Sequence, residues 1–289
     1  MARMIMRVLL LGLLLVGPVA VHAQQVSVTP DVVYGHKYGM ALTFDVFTPV
    51  NANGAAVLNV VSSGWRSAWR PHELSQRRYQ PLLDEGFTVF AVRHGSSPKF
   101  LIPEIVPDLR RAVRYIRLNA RQLGVYPSRL GVWGSSAGGH LSLILGTTSD
   151  GGDPSAEDPV LRVDDRVAAI VAYYPPVDLR APARRDNPEI TVERFPALGY
   201  DLSQAPLYSP ILHVSVDDPP TLLIHGDADG LVVVANSHEM YAALQVSGVE
   251  SKLLIIPGAD HGFRGTDAVL AATAMVDWFV QYLVTRSAN

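Results

Sequence analysis

The segment Gly134-Ser135-Ser136-Ala137-Gly138 holds a serine with glycines two residues before and two residues after it. That spacing suits a nucleophile on a sharp strand-to-helix turn, where a missing Cβ on each side lets strand and helix close around it. Ser136 is the central residue; Ser135 lacks a glycine two residues upstream. A serine hydroxyl attacks a carbonyl only when a base takes its proton, and the usual base is a histidine steadied by a carboxylate. Of nine histidines, His22 belongs to the N-terminal apolar segment, and His140 falls one turn after Ser136, where it is expected to pack. His225 and His238 lie too close in sequence to the acidic turn. His261, in Pro257-Gly258-Ala259-Asp260-His261-Gly262-Phe263, follows the last predicted strand, where open α/β sheets keep their ligand chemistry. The acid comes from His225-Gly226-Asp227-Ala228-Asp229. Asp227 is placed to bond loop backbone and Asp229 to reach another loop, and on spacing alone both stay open.

These residues need a scaffold that brings strand ends together. Val26–Val33 and Ala41–Phe47 alternate apolar and polar residues and read as an antiparallel pair. Continuous apolar runs at Ala55–Val61, Phe87–Val92, Leu130–Trp133, Val167–Tyr173, Thr221–Ile224 and Leu253–Ile256 read as strands buried on both faces. Helices are predicted over 72–84, 103–123, after Gly134 through Leu145, over 232–246 and over 267–284. Strands alternating with helices predict a mostly parallel sheet covered on both sides. On the second helix, Arg110, Arg114, Arg117 and Arg121 lie opposite the apolar positions, so the stripe is expected to be a solvated face. Residues 177–219 break the alternation with prolines and the run Arg184-Arg185-Asp186, and read as a lid-like excursion rather than a second domain.

Composition narrows the chemistry. The 289 residues contain no cysteine, which excludes a thiol nucleophile, a thiolate metal site and a disulfide scaffold. A net charge of -3 gives no sign of a nucleic-acid partner and suits a neutral or acylated small substrate. Arg3 and Arg7 precede an apolar run, Val8–Val21, followed by Ala23; this reads as a secretory signal over 1–23. The run is shorter than the ~20 apolar residues of a spanning helix, so no stable membrane anchor is expected after cleavage. A secreted or periplasmic catalytic domain over 24–289 follows.

The order Ser136, Asp229, His261, with the motifs around them, resembles the α/β-hydrolase superfamily. It is similar to the bacterial acetyl-esterase and feruloyl-esterase-like proteins near the hormone-sensitive-lipase group, over residues 40–285. The resemblance implies an α/β-hydrolase fold of about eight strands with a short lid, and makes Asp229 the acid. It aligns Val61-Ser62-Ser63-Gly64-Trp65 with a His-Gly-Gly-Gly-Trp loop whose histidine and first two glycines are replaced here. By that match, the N–H groups of Ser63, Gly64 and Ala137 form an oxyanion hole and Trp65 is a candidate substrate wall. Tyr200 and Tyr208 are candidates from the excursion. The implied activity is hydrolysis of short-chain acyl esters or acetylated carbohydrates by an acyl-enzyme route, with no metal or organic cofactor. Two alternatives carry over: a peptidase of the same fold, and a non-catalytic binding protein with an altered oxyanion loop.

Overall fold

The computed structural model describes residues 26–180 and 190–285; the expected export segment 1–23 and the run Arg184-Arg185-Asp186 lie outside the described residues. Eight strands form one sheet: β1 (Val26–Lys37), β2 (Met40–Pro49), β3 (Ala56–Val60), β4 (Thr88–Val92), β5 (Leu130–Ser135), β6 (Ala169–Tyr173), β7 (Thr221–Gly226) and β8 (Ser251–Ile256). Their spatial order is β1-β2-β4-β3-β5-β6-β7-β8. β1 pairs antiparallel with β2, and β2 with β4. From β4 to β8 every neighbour is parallel. The two alternating segments therefore sit at one edge and the continuous apolar runs in the interior. β3, β4 and β6 are buried at every position, as strands covered on both faces must be.

Among the described residues, five α-helices supply that cover: α1 (His72–Asp84), α2 (Ile102–Leu118), α3 (Ala137–Thr147), α4 (Ala235–Val246) and α5 (Gly265–Phe279). One apolar cluster joins Tyr79, Leu82 and Leu83 of α1 with Met275 and Phe279 of α5 beneath one face. The other joins Leu109 and Val113 of α2, Leu141 and Ile144 of α3, and Met240 and Leu244 of α4. A π-helical turn, Val280–Thr285, extends α5 and buries Tyr282 and Leu283.

Two expectations for α2 change. It ends at Leu118, not at Leu123, because the Asn119 side chain donates to the Tyr115 carbonyl at 2.8 Å and competes with the helical pattern there. Three of its four stripe arginines do not form a solvated face, while Arg121, beyond the helix end, is exposed as expected. Arg110 donates to Asp165 at 2.7 Å, Arg114 to Asp150, and Arg117 to Asp164 at 2.9 Å. Asp165 is wholly buried. The loop after α3 supplies Asp150, Asp164 and Asp165, which a periodicity argument confined to one helix does not count.

Candidate active site

β5 ends at Ser135 and α3 begins at Ala137, so Ser136 occupies the turn between them. Its backbone sits at φ 54, ψ -121, a region unfavourable to a residue with a Cβ. The turn is held on both sides: the Ser136 N–H donates to the Tyr173 carbonyl at 2.8 Å, and the Ser136 carbonyl accepts from the His140 N–H at 2.9 Å. The flanking glycines are sterically required. A Cβ on Gly134 would overlap the Gly138 carbonyl group, and one on Gly138 would lie 2.9 Å from the Val60 carbonyl oxygen.

His261 lies in the loop after β8 and Asp229 in the turn after β7. The structure brings both to Ser136. His261 Nε2 is 3.1 Å from Ser136 Oγ, and His261 Nδ1 is 2.8 Å from Asp229 Oδ2. Asp229 Oδ1 accepts from the N–H groups of Leu231 at 2.9 Å and Val232 at 2.8 Å. His225 Nε2 also stands 3.3 Å from Asp229 Oδ2. Burial alone would push the Asp229 carboxyl up, but hydrogen bonds from His225, His261 and the Val232 N–H together hold it well below the ordinary carboxylate range. A permanently ionised acceptor on Nδ1 fixes the tautomer that leaves Nε2 free to accept a proton from Ser136. Asp227, the other candidate, instead accepts from the Gly258 N–H at 2.6 Å.

The oxyanion loop departs from expectation at one residue. The Ser63 N–H donates to the Arg66 carbonyl at 2.9 Å, and the Arg66 N–H returns a bond to Ser63 at 3.0 Å. Ser63 is therefore closed as a donor by a local bridge that the aligned motif could not reveal. The Gly64 and Ala137 N–H groups have no acceptor among the described residues, and Ala137 opens α3, where the dipole favours an anion. Gly64 has φ +55, and Phe195 would lie 3.0 Å from a Cβ there.

Trp65 is also corrected. It is only 2% exposed and does not line the site cavity. Its indole N–H donates to His140 Nδ1 at 3.2 Å beneath the loop. A large aromatic carrying φ 57 is held there because its ring is buried and its N–H satisfied. Tyr200 and Tyr208 likewise pack against the core. Among the described residues, the excursion's contribution to the cavity is Phe195.

The cavity has a volume of about 560 Å³ and includes Ser136, His261, Gly64, Tyr174, Leu231 and Arg78. Tyr174 and Arg78 escape a sequence reading. Tyr174 has φ 37, and its ring centre lies 4.6 Å from that of His261 with the planes tilted by 59°. Arg78 donates to Ser135 Oγ at 3.1 Å. Tyr174 could have been suspected, since it directly follows the end of β6; Arg78, on an ordinary-looking helix, gave no signal.

A predominantly parallel eight-stranded sheet, with this strand order and helices on both faces, defines an α/β-hydrolase. Residues 44–244 match the BD-FAE family, and the chain belongs to it. It is 27% identical over 271 residues to the probable carboxylic ester hydrolase LipM of Mycobacterium tuberculosis, covering 90% of this chain and 62% of that protein. It is 29% identical over 226 residues to an acetylxylan esterase of Xylanibacter ruminicola, covering 75% and 42%. The chain thus spans less than two thirds of the length of these curated relatives. Among solved structures, a truncated carbohydrate esterase from gut microbiota superposes with a TM-score of 0.71 at 26% identity, covering 88% of this chain and 95% of that one. An acetyl ester-xyloside bifunctional hydrolase from Caldicellulosiruptor lactoaceticus gives 0.73 at 26%, covering 87% and 95%.

Proposed function

We propose that the protein is a serine esterase that hydrolyses carboxylic esters of short acyl groups, including acetyl groups on carbohydrates. The observation that carries this reading is the line Ser136 Oγ to His261 Nε2 at 3.1 Å, continued to Asp229 at 2.8 Å. Membership of BD-FAE and similarity to proteins named as acetylxylan and carbohydrate esterases support the substrate class.

In this mechanism Ser136 Oγ attacks the ester carbonyl while His261 Nε2 takes its proton. Asp229 stabilises the resulting imidazolium, and the Gly64 and Ala137 N–H groups hold the oxyanion. The tetrahedral intermediate expels the alcohol, to which His261 returns the proton. Water then attacks the acyl-enzyme with the same base, and the acid leaves as Ser136 is restored. Export guided by residues 1–23 is part of the proposal, motivated by Arg3, Arg7 and the Val8–Val21 run.

The test is turnover of 4-nitrophenyl acetate and of acetylated xylan by wild type and Ser136→Ala, with fluorophosphonate labelling of the wild type. Turnover and labelling that both vanish in the variant are expected. Cleavage of short peptide amides without esterolysis would favour a peptidase instead.

A further inference from the structure

The cavity lining is rich in arginine. Arg66, Arg70, Arg78 and Arg93 line the same space as Ser136, against one lining carboxylate, Asp45. Asp45 is already held by Arg93 at 2.7 Å, with His72 at 3.4 Å. The other three arginines have no carboxylate within salt-bridge distance among the described residues.

Arg78 is the most fixed of them. Its guanidinium lies 4.8 Å from the centre of the Trp133 ring and donates to the side chain of Ser135, the residue next to the nucleophile. Stacking and a hydrogen bond hold the planar fork in place, and a fixed fork binds a carboxylate in two-point fashion with little further ordering. Tyr79, the neighbour of Arg78 in sequence, is buried and borders the same cavity with its hydroxyl-bearing ring. That hydroxyl donates to Asn59 Oδ1 at 2.9 Å, and Asn59 also borders the cavity.

We propose that Arg66, Arg70 and Arg78 form an anion-binding wall and that the preferred esters carry a carboxylate on their acyl or alcohol part. The inference rests on the esterase reading and adds the substrate's charge to it. Such a substrate includes an ester of an acidic sugar or of a dicarboxylic acid.

The experiment compares kcat/KM on two matched pairs. Mono(4-nitrophenyl) succinate against 4-nitrophenyl methyl succinate tests the acyl side; 4-carboxyphenyl acetate against 4-carbamoylphenyl acetate tests the alcohol side. At low salt, one pair is expected to favour its charged member by about tenfold or more, through KM, the scale of one well-placed charged hydrogen bond. The preference shrinks at high salt because the arginines are exposed. It disappears in the triple variant Arg66→Gln, Arg70→Gln, Arg78→Gln. General damage to the fold would lower both members of a pair together and leave their ratio unchanged. No charged preference in either pair, or a preference that survives the triple variant, overturns the proposal. Calorimetric binding of the same esters to Ser136→Ala protein separates this result from the esterase reading. If wild type hydrolyses none of the four, the esterase reading fails, and the binding ratio alone decides the wall: tighter charged binding upholds it and equal affinity overturns it.

Discussion

The Trp65 indole N–H donates to His140 Nδ1 at 3.2 Å, tying the Gly64 loop to the helix that begins just after Ser136. His140 Nε2–H in turn donates to the Tyr208 carbonyl at 2.7 Å. One buried imidazole therefore joins three separate segments: the loop carrying Gly64, the first turn of α3, and the excursion that supplies Phe195. Since Trp65 immediately follows Gly64, its anchoring sets where the Gly64 N–H points.

Replacing Trp65 with Phe keeps an aromatic ring and removes the donor. The buried His140 Nδ1 then loses its partner, a cost of about 1–3 kcal/mol, measurable by urea unfolding. The loosened loop should lower kcat more than it raises KM, by less than the ~10²–10³-fold cost of losing an oxyanion donor outright. An unchanged kcat would mean that Gly64 is positioned independently of Trp65.

Asp229→Asn should cost on the order of 10⁴ in kcat while leaving the fold intact, because an amide on His261 Nδ1 can favour the wrong tautomer. The side chain would still fill its turn and still accept from Leu231 and Val232 through its oxygen. Asp227→Asn, which alters only the bond to Gly258, should change kcat little. Steady-state kinetics on 4-nitrophenyl acetate with both variants would separate the two aspartates that spacing alone left open.

The order of elements was legible because each interior strand is a continuous apolar run and each helix carries an apolar face. Ser136 and His261 were legible because each lies in a turn directly after a strand, whereas one such turn offered both Asp227 and Asp229 and only the family resemblance chose between them. What escaped depends on contacts between distant segments. Ser63 loses its donor role to the Arg66 carbonyl, Trp65 is buried by His140 and Phe195, and Arg110, Arg114 and Arg117 are covered by aspartates 36 to 55 residues downstream. Net charge is equally blind to placement: a total of -3 does not show that four arginines line one cavity.

Asp165 is the hub of the ion-pair network on α2. It accepts from Arg110 at 2.7 Å and from the Asp150 N–H at 2.6 Å, with Arg114 at 3.6 Å. Asp165→Ala would leave two poorly solvated guanidinium groups and the Asp150 N–H without their shared acceptor. A loss of about 3–5 kcal/mol is expected, read from chemical denaturation. The network does not border the site cavity, so activity of the remaining folded fraction should stay near the wild-type value.

Acidification should destabilise the fold through two buried histidines. Burial lowers His94 and His140 to about 4, against an ordinary value of 6.5. Above pH 6.5 both rings are neutral whether folded or unfolded, and they make stability no function of pH. Between 6.5 and about 4 the unfolded chain binds protons that the folded chain refuses, so stability falls as pH falls. Below about 4 the penalty is constant. At pH 5 each ring costs roughly 2 kcal/mol. For His140 the reason is visible in its partners: Nδ1 accepts from Trp65 and Nε2 donates to Tyr208, so a second ring proton would face the indole N–H. Urea unfolding at pH 7.5 and pH 5 should therefore show a smaller acid loss in His140→Gln than in wild type, by about 2 kcal/mol. Equal losses in the two proteins would mean that His140 takes up its proton in the folded state, and that the Trp65 bond gives way before the fold does.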